Sequence, residues 1–122
     1  MRIAQVAPLF ESVPPALYGG TERIVSYLTE ELVRLGHEVT LFATGDSQTT
    51  AALVTGCPAA LWRDSDVRET LPQHVRLVEL VFQRASRFDI LHFHIDYLHS
   101  PLVRRTEVPR SPRCTVCSTR TM

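Results

Sequence analysis

The sequence contains no lysine, because all thirteen of its basic residues are arginine. A phosphate-binding P-loop and Schiff-base catalysis both require a lysine, so both chemistries are excluded. No apolar run approaches the roughly 20 residues that cross a bilayer, and residues 1–7 lack the apolar core of a secretory signal. The formal net charge is zero, which argues against nucleic acid as a partner and gives no evidence of contact with a membrane surface. These absences predict a cytoplasmic domain.

The chain has 122 residues, of which 44% are hydrophobic and 21% are charged, as expected for one folded domain. Its charge is uneven: residues 104–122 hold five arginines and only Glu107 as an acid, whereas residues 1–103 hold more acids than arginines. The same tail contains Cys114 and Cys117, a lone C-x-x-C that does not by itself predict a zinc site. We therefore predict a domain over residues 1–105 and a separate tail over residues 106–122.

The first half of the chain has the pattern of a strand–helix–strand unit. Residues 2–7 and 37–43 are short apolar stretches typical of strands, and Thr21 can cap a helix that ends before Gly36. Five apolar residues follow helical spacing and are expected to face the core, namely Ile24, Val25, Leu28, Leu32 and Leu35. Further strands are predicted at 51–54 and 89–94, and further helices at 72–88 and 97–105. The fold class is therefore α/β, a Rossmann-like parallel sheet with flanking helices.

Two adjacent glycines, Gly19 and Gly20, stand between the first strand and the first helix. Such glycines let a ligand approach the backbone, and the helix that follows offers unpaired N–H groups. The same pair is equally consistent with a tight turn that needs glycine only for its backbone angles. The dinucleotide pattern G-x-G-x-x-G is absent from the sequence, which argues against NAD or FAD as a cofactor.

His92, His94 and Asp96 alternate along the predicted strand 89–94 and its end. Residues two apart on a strand share a face, so these three side chains could hold a divalent metal, as in a small metal hydrolase. The sequence after His99 contains no histidine to complete such a site. The favoured interpretation is structural, with one histidine packed in the sheet and one at its carboxyl end. In its functional form, a single His94 faces the crevice as a hydrogen-bonding group, and the metal hydrolase remains an alternative.

Four stretches of the sequence together resemble the N-terminal domain of glycosyltransferase family 4: 1–8 (MRIAQVAP), 18–23 (YGGTER), 35–43 (LGHEVTLFA) and 88–94 (FDILHFH). The resemblance covers residues 1 to about 105. It implies the GT-B fold, in which two Rossmann-like domains face each other across a cleft. It also implies transfer of a sugar from a nucleotide-sugar donor with retention of configuration.

The resemblance assigns roles to four residues. Gly19, Gly20 and Thr21 match the substrate-binding loop near the donor diphosphate and the acceptor, and His94 matches the histidine beside the transferred sugar. It implies no metal and no cofactor other than the nucleotide sugar, which is a substrate. The implied partners are a nucleotide sugar and a sugar or lipid-linked acceptor.

The sequence also departs from the family pattern. The family's C-terminal, donor-binding domain has no counterpart in the chain, and the family's fifth strand does not follow residue 105. We interpret the tail as out of frame and the chain as a truncated N-terminal domain that is inactive alone. The strand at 89–94 is then expected to form an uncovered sheet edge. A stand-alone module that binds an anion or a nucleotide is the alternative function.

Overall fold

In a computed structural model the chain forms a parallel α/β sheet with helices on both faces. The structure describes residues 1–17, 19–63, 69–95 and 115–118. The strands are β1 (Arg2–Val6), β2 (Glu38–Thr44), β3 (Ala52–Cys57), β4 (Ile90–Phe93) and β5 (Thr115–Ser118). The α-helices of the described ranges are α1 (Gly20–Arg34) and α2 (Leu71–Gln83), and single 3₁₀ turns lie at Leu61–Arg63 and Ala85–Arg87. The predicted fold class is confirmed.

The strand order is β3-β2-β1-β4-β5, with every pair parallel. Val6 of β1 lies opposite Phe42 of β2 on one side and Phe93 of β4 on the other. The direction in which the chain adds strands reverses between β1 and β4. In open parallel sheets the carboxyl ends of the strands at such a reversal border the ligand-binding crevice.

The two faces of this sheet are covered differently. Successive strand residues point to opposite faces, so Ala4 and Val6 of β1 face α2, and Gln5 and Ala7 face α1. The α2 face is a continuous apolar core made of Ala4, Val6, Leu9, Phe42, Leu61, Leu77, Val78, Val81, Ala85, Phe88, Leu91, Phe93 and Ile95. The α1 face has a smaller apolar cluster made of Ala7, Val13, Val25, Leu41 and Ala43.

Helix α1 presents a different side to the sheet than its apolar spacing predicts. Val25 is buried, but Ile24 is 62% exposed and Leu35 is 58% exposed. The other buried positions of the helix are polar: Glu22, Ser26 and Thr29. Leu28 and Leu32 are partly buried, so the predicted core face was wrong at Ile24 and Leu35 and missed the polar positions. These buried positions and Val25 follow helical spacing and form one side of α1, which begins with Glu22 beside Gly19.

Two predicted boundaries also need correction. Helix α1 begins at Gly20 with Gly19 in the capping position, so Thr21 lies in the first turn and does not cap the helix. Strand β3 runs from Ala52 to Cys57, so it continues past the predicted end at residue 54 and includes Gly56. A Cβ at Gly56 would lie 2.9 Å from Leu77 Cδ1, so this glycine allows α2 to pack closely on the strand.

The edge of β4 is covered, contrary to expectation. Strand β5 pairs with β4 in parallel register, from Ile90 opposite Thr115 to Phe93 opposite Ser118. The predicted uncovered edge was wrong, because part of the tail supplies a fifth strand. The predicted helix over 97–105, and also Tyr18, Asp96 and Cys114, lie outside the described residues. Within the part of the chain that the structure describes, no helix is long and apolar enough to span a membrane.

Candidate functional site

The crevice between β1 and β4 brings the predicted site residues to one edge of the sheet. His94 follows the last residue of β4, and its backbone N–H donates a hydrogen bond of 2.9 Å to the carbonyl oxygen of Val6. At the same point the chain leaves β1 and begins the loop 7–19, which leads to Gly20 at the start of α1. The sheet topology therefore places the glycine pair and His94 on the two sides of the reversal point.

The loop 7–19 is held in place by contacts with both sides of the sheet. The N–H of Val13 donates to Ser47 Oγ at 2.9 Å, and the N–H of Gln48 donates to the Val13 carbonyl at 2.8 Å. Nearer its start, the N–H of Leu9 donates to Nε2 of buried His74 at 3.1 Å. These bonds fix the part of the loop from Leu9 to Val13.

The structure explains the two adjacent glycines, Gly19 and Gly20, differently. Gly19 has φ of 146°, and a Cβ there would lie 2.7 Å from Glu22 Oε2 and 3.0 Å from Pro15 Cβ. Packing and backbone geometry alone therefore require glycine at 19. Gly20 has no such φ, is exposed, and a Cβ there would meet no atom within 4 Å. Packing in this structure does not require glycine at 20, so the backbone there is open to a ligand.

The start of α1 has mixed electrostatics. No side chain caps the helix, so the N–H groups of its first turn, which includes half-buried Thr21, offer positive partial charge. The carboxyl group of Glu22 lies beside this turn. Burial raises its pKa, a hydrogen bond from its own backbone N–H opposes that rise, and the negative charge of Glu11 adds to it. The two acids work against anion binding, so an anion bound here depends on the backbone N–H groups.

His94 is buried and uncharged at neutral pH. The residue is only 4% exposed, and its Nε2 donates a 2.6 Å hydrogen bond to Gln5 Oε1 in β1. Its ring centroid lies 4.1 Å from that of His92. Burial, with a smaller contribution from the charge of His92, lowers the pKa of His94 to about 4. A neutral imidazole with a fixed orientation can exchange hydrogen bonds with a sugar hydroxyl but carries no charge for a diphosphate.

The surroundings of His92 are those of a residue packed within the sheet. It is half-buried, its Nε2 has no hydrogen-bond partner among the described residues, and burial lowers its pKa. In the described ranges no group of three histidine, cysteine, aspartate or glutamate side chains could hold a metal ion. Of the predicted metal set, Asp96 lies outside those ranges, and Nε2 of His94 is already bonded to Gln5.

Gln5 and Glu22 belong to this site, and the sequence reasoning did not single them out. A signal for Gln5 was present, since it is the one polar residue in the apolar stretch 3–7. Glu22 had no comparable signal, because a glutamate in the first turn of a helix usually faces solvent. Its burial follows from the path of the loop and not from any local pattern.

The fold is similar to that of a solved glycosyltransferase. The crystal structure of AviGT4, a glycosyltransferase involved in avilamycin A biosynthesis, superposes with a TM-score of 0.56 at 23% sequence identity. The similarity covers 96% of this chain and 31% of the AviGT4 chain, so the present chain spans less than a third of that protein's length. A comparison with curated protein sequences gives no match.

A family model matches most of the sequence. The model for Glycosyltransferase Family 4 aligns with residues 18–119, which include the glycine pair and His94. The match also includes residues 106–119, so the family likeness reaches further along the chain than residue 105. Both the fold and the extent of this match lead to one conclusion: the chain belongs to Glycosyltransferase Family 4.

Proposed function

We propose that this chain forms the acceptor-side, N-terminal domain of a retaining glycosyltransferase that uses a nucleotide-sugar donor. The family match over residues 18–119 is the observation that carries the proposal. The similarity to the fold of AviGT4 supports the corresponding GT-B architecture. In this proposal the nucleotide is bound by a second Rossmann-like domain, and the crevice between β1 and β4 faces it.

The backbone at Gly20 has the first role in the proposed mechanism. A departing nucleoside diphosphate gains negative charge as the bond to the sugar breaks. N–H groups that already point at this charge stabilise the transition state, and one such donor contributes about 10²–10³ in rate. Glu22 lies beside the same turn with a raised pKa. Binding of the diphosphate would raise this pKa further, so anion binding is coupled to proton uptake by Glu22.

His94 has the second role. Nε2 of His94 donates to Gln5 Oε1. The proposed contact is between a sugar hydroxyl and the small part of the His94 ring that stays accessible. Gln5 fixes the orientation of the imidazole, so Gln5 is a positioning residue in this proposal. No metal ion takes part.

A transfer assay tests the proposal. The chain is assayed alone and fused to the donor-binding half of a Family 4 enzyme, with a panel of nucleotide sugars and simple acceptors. We expect transfer from the fusion and none from the chain alone, because most of the groups that bind the donor lie outside this domain. Transfer by the chain alone, or no transfer by any folded fusion, would contradict the proposal.

The glycine pair offers a matched test within the fusion. Gly20→Ala should leave the melting temperature unchanged and lower turnover, because the new methyl group keeps the ligand from the backbone. Gly19→Ala should instead destabilise the domain, by about 1–3 kcal/mol, because of its φ and its contact with Glu22. Equal turnover for Gly20→Ala and the wild type would show that no ligand approaches at this position.

The two histidines offer a second matched pair. His94→Ala should lower turnover more than stability, whereas His92→Ala should act mainly through packing. Turnover is compared with the melting temperature for each variant. Wild-type turnover in His94→Ala would remove this residue from the mechanism.

A further inference from the structure

An aromatic cluster lies on the loop that leads to the proposed site and takes no part in the proposed mechanism. Phe10 of the loop 7–19 contacts two other rings, both at a tilted angle. Its centroid is 4.8 Å from that of His74 in α2 and 5.5 Å from that of Trp62 in the 3₁₀ turn after β3. His74 is buried, whereas Trp62 is 71% exposed. The cluster therefore runs from the interior to the surface and ends in an exposed indole.

This exposed indole is mounted on a fixed backbone. Leu61, the neighbour of Trp62, is buried in the α2-face core, and its N–H donates to the Leu9 carbonyl at 3.0 Å. The N–H of Trp62 donates to the Phe10 carbonyl at 3.3 Å. Two backbone bonds thus attach the turn to the loop 7–19. A large apolar ring that is both exposed and held in one place is suited to binding, because little side-chain entropy remains to be lost.

His74 stabilises the inner end of the cluster. Its Nε2 accepts the N–H of Leu9 at 3.1 Å, and its Nδ1 donates to the carbonyl of Thr70 at 2.8 Å. Both nitrogens are therefore used, and the ring is neutral with a defined tautomer. Phe10 rests on a fixed surface, and Trp62 rests on Phe10.

The position of the cluster connects it with the crevice. Phe10 lies in the loop that leaves the carboxyl end of β1 and ends at Gly19 and Gly20. Trp62 follows β3, and its turn is bonded to the same loop. Carboxyl ends of parallel strands lie on one edge of the sheet. The indole is therefore on the ligand-binding edge, on the α2 side, whereas Gly20 is on the α1 side.

We propose that Trp62, supported by Phe10, is a stacking platform for a pyranose ring of the acceptor. This inference rests on the proposed glycosyl transfer. An aromatic face carries negative charge, and C–H groups next to sugar oxygens carry partial positive charge, so the apolar face of a pyranose is attracted to it. The sugar hydroxyls stay in water around the ring edge. A single exposed indole matches one sugar ring in size, whereas a protein partner requires a much larger apolar surface.

Trp62 is the one tryptophan in the sequence, so its fluorescence reports this site alone. The full chain is titrated with methyl β-glucopyranoside, methyl β-galactopyranoside and, as an acyclic control, sorbitol. We expect a saturable change in emission with at least one pyranoside and none with sorbitol. Binding of the same sugars is measured independently by saturation-transfer NMR, which does not depend on the indole signal.

Two substitutions and one control separate stacking from unspecific effects. Trp62→Ala should weaken pyranoside binding by about tenfold, whereas Trp62→Phe should retain most of it. Tyr27→Ala is the matched control, because Tyr27 is also aromatic and 67% exposed but lies on α1. It should bind as the wild type does. Far-UV circular dichroism and thermal melts establish that each variant is folded.

The proposal is overturned if no pyranoside binds, or if Trp62→Ala binds as tightly as the wild type. Phosphatidylcholine vesicles are titrated in parallel. An emission change with the vesicles and with no pyranoside also overturns the proposal, because Trp62 would then be a membrane contact. The transfer assay of the fusion is independent of these results. If the fusion transfers sugar equally well with and without Trp62→Ala, the platform is rejected and the proposed function stands. If pyranosides bind saturably at Trp62 but no fusion transfers sugar, the proposed function is rejected.

Discussion

The two faces of the central sheet differ in what they bury. Against α2 the strands bury large aliphatic and aromatic side chains, such as Phe42 and Phe93. Against α1 they bury polar groups beside a small apolar cluster, including Gln5 and His94. One face therefore has the composition of a stabilising core. The other face contains buried polar groups, which cost stability unless they are hydrogen-bonded.

On the α1 face, only some of the buried polar atoms have a hydrogen-bond partner among the described residues. Gln5 and His94 bond each other at 2.6 Å. In contrast, Thr29 Oγ1 and His92 Nε2 are buried without a hydrogen-bond partner among the described residues. Each unpaired buried polar atom costs about 1–3 kcal/mol. The comparison predicts that the α2 face supplies most of the free energy of unfolding. It also predicts that substitutions on the α1 face can raise that free energy.

The largest effect is expected on the α2 face. Phe93 is fully buried and contacts Phe82 with ring centroids 5.9 Å apart. Phe93→Ala should lower the free energy of unfolding by about 3–5 kcal/mol, through lost burial and the cavity it leaves. Urea denaturation measures this change. Tyr27→Ala, on the outer side of α1, should change it by less than about 0.5 kcal/mol. Similar losses in the two variants would contradict the comparison.

A change of pH should have an intermediate effect on the free energy of unfolding, through His94 on the α1 face. His94 has a pKa of about 4 in the folded protein and an ordinary value of 6.5. Between these values the unfolded chain binds more protons than the folded one, so stability falls as pH falls. From pH 7 to pH 5 this contribution to the free energy of unfolding should fall by about 2 kcal/mol. Denaturant melts at several pH values measure it.

The variant His94→Gln identifies the source of this pH dependence. It keeps a polar side chain beside Gln5 and removes the titrating group, so most of the slope between pH 7 and pH 5 should disappear. His92 acts in the same direction as His94, since its pKa is also lowered. Glu22 acts in the opposite direction, because its pKa is raised. An unchanged slope in His94→Gln would show that His94 does not control the pH response.

The smallest effect is a gain in stability. Thr29 is fully buried in α1, and its hydroxyl has no hydrogen-bond partner in the described ranges. Thr29→Val keeps the shape and removes the unpaired hydroxyl, so it should raise the free energy of unfolding by about 1 kcal/mol. Thr29→Ala is the control, because it removes the hydroxyl and also leaves a cavity. Destabilisation by valine, measured by urea denaturation, would show that the hydroxyl is satisfied.

Much of the fold was predictable because local patterns were consistent. The apolar strands and the glycines around α1 predicted a parallel α/β sheet, and the structure confirms this class. The orientation of α1 was not predictable in the same way. Ile24 and Leu35 fit a helical apolar stripe, but in the structure both are exposed and the buried side of the helix contains Glu22 instead. Helical periodicity describes a stripe and does not say which structure covers it.

The sequence by itself determined the family and the fold class, because these depend on local spacing and on motifs in order. Only the tertiary structure distinguished Gly19, which packing requires, from Gly20, which it does not. Tertiary structure also paired Gln5 with His94 across 89 positions and placed β5 beside β4. These features depend on contacts between distant segments, whose geometry is set only when the sheet assembles, so no local pattern could encode them.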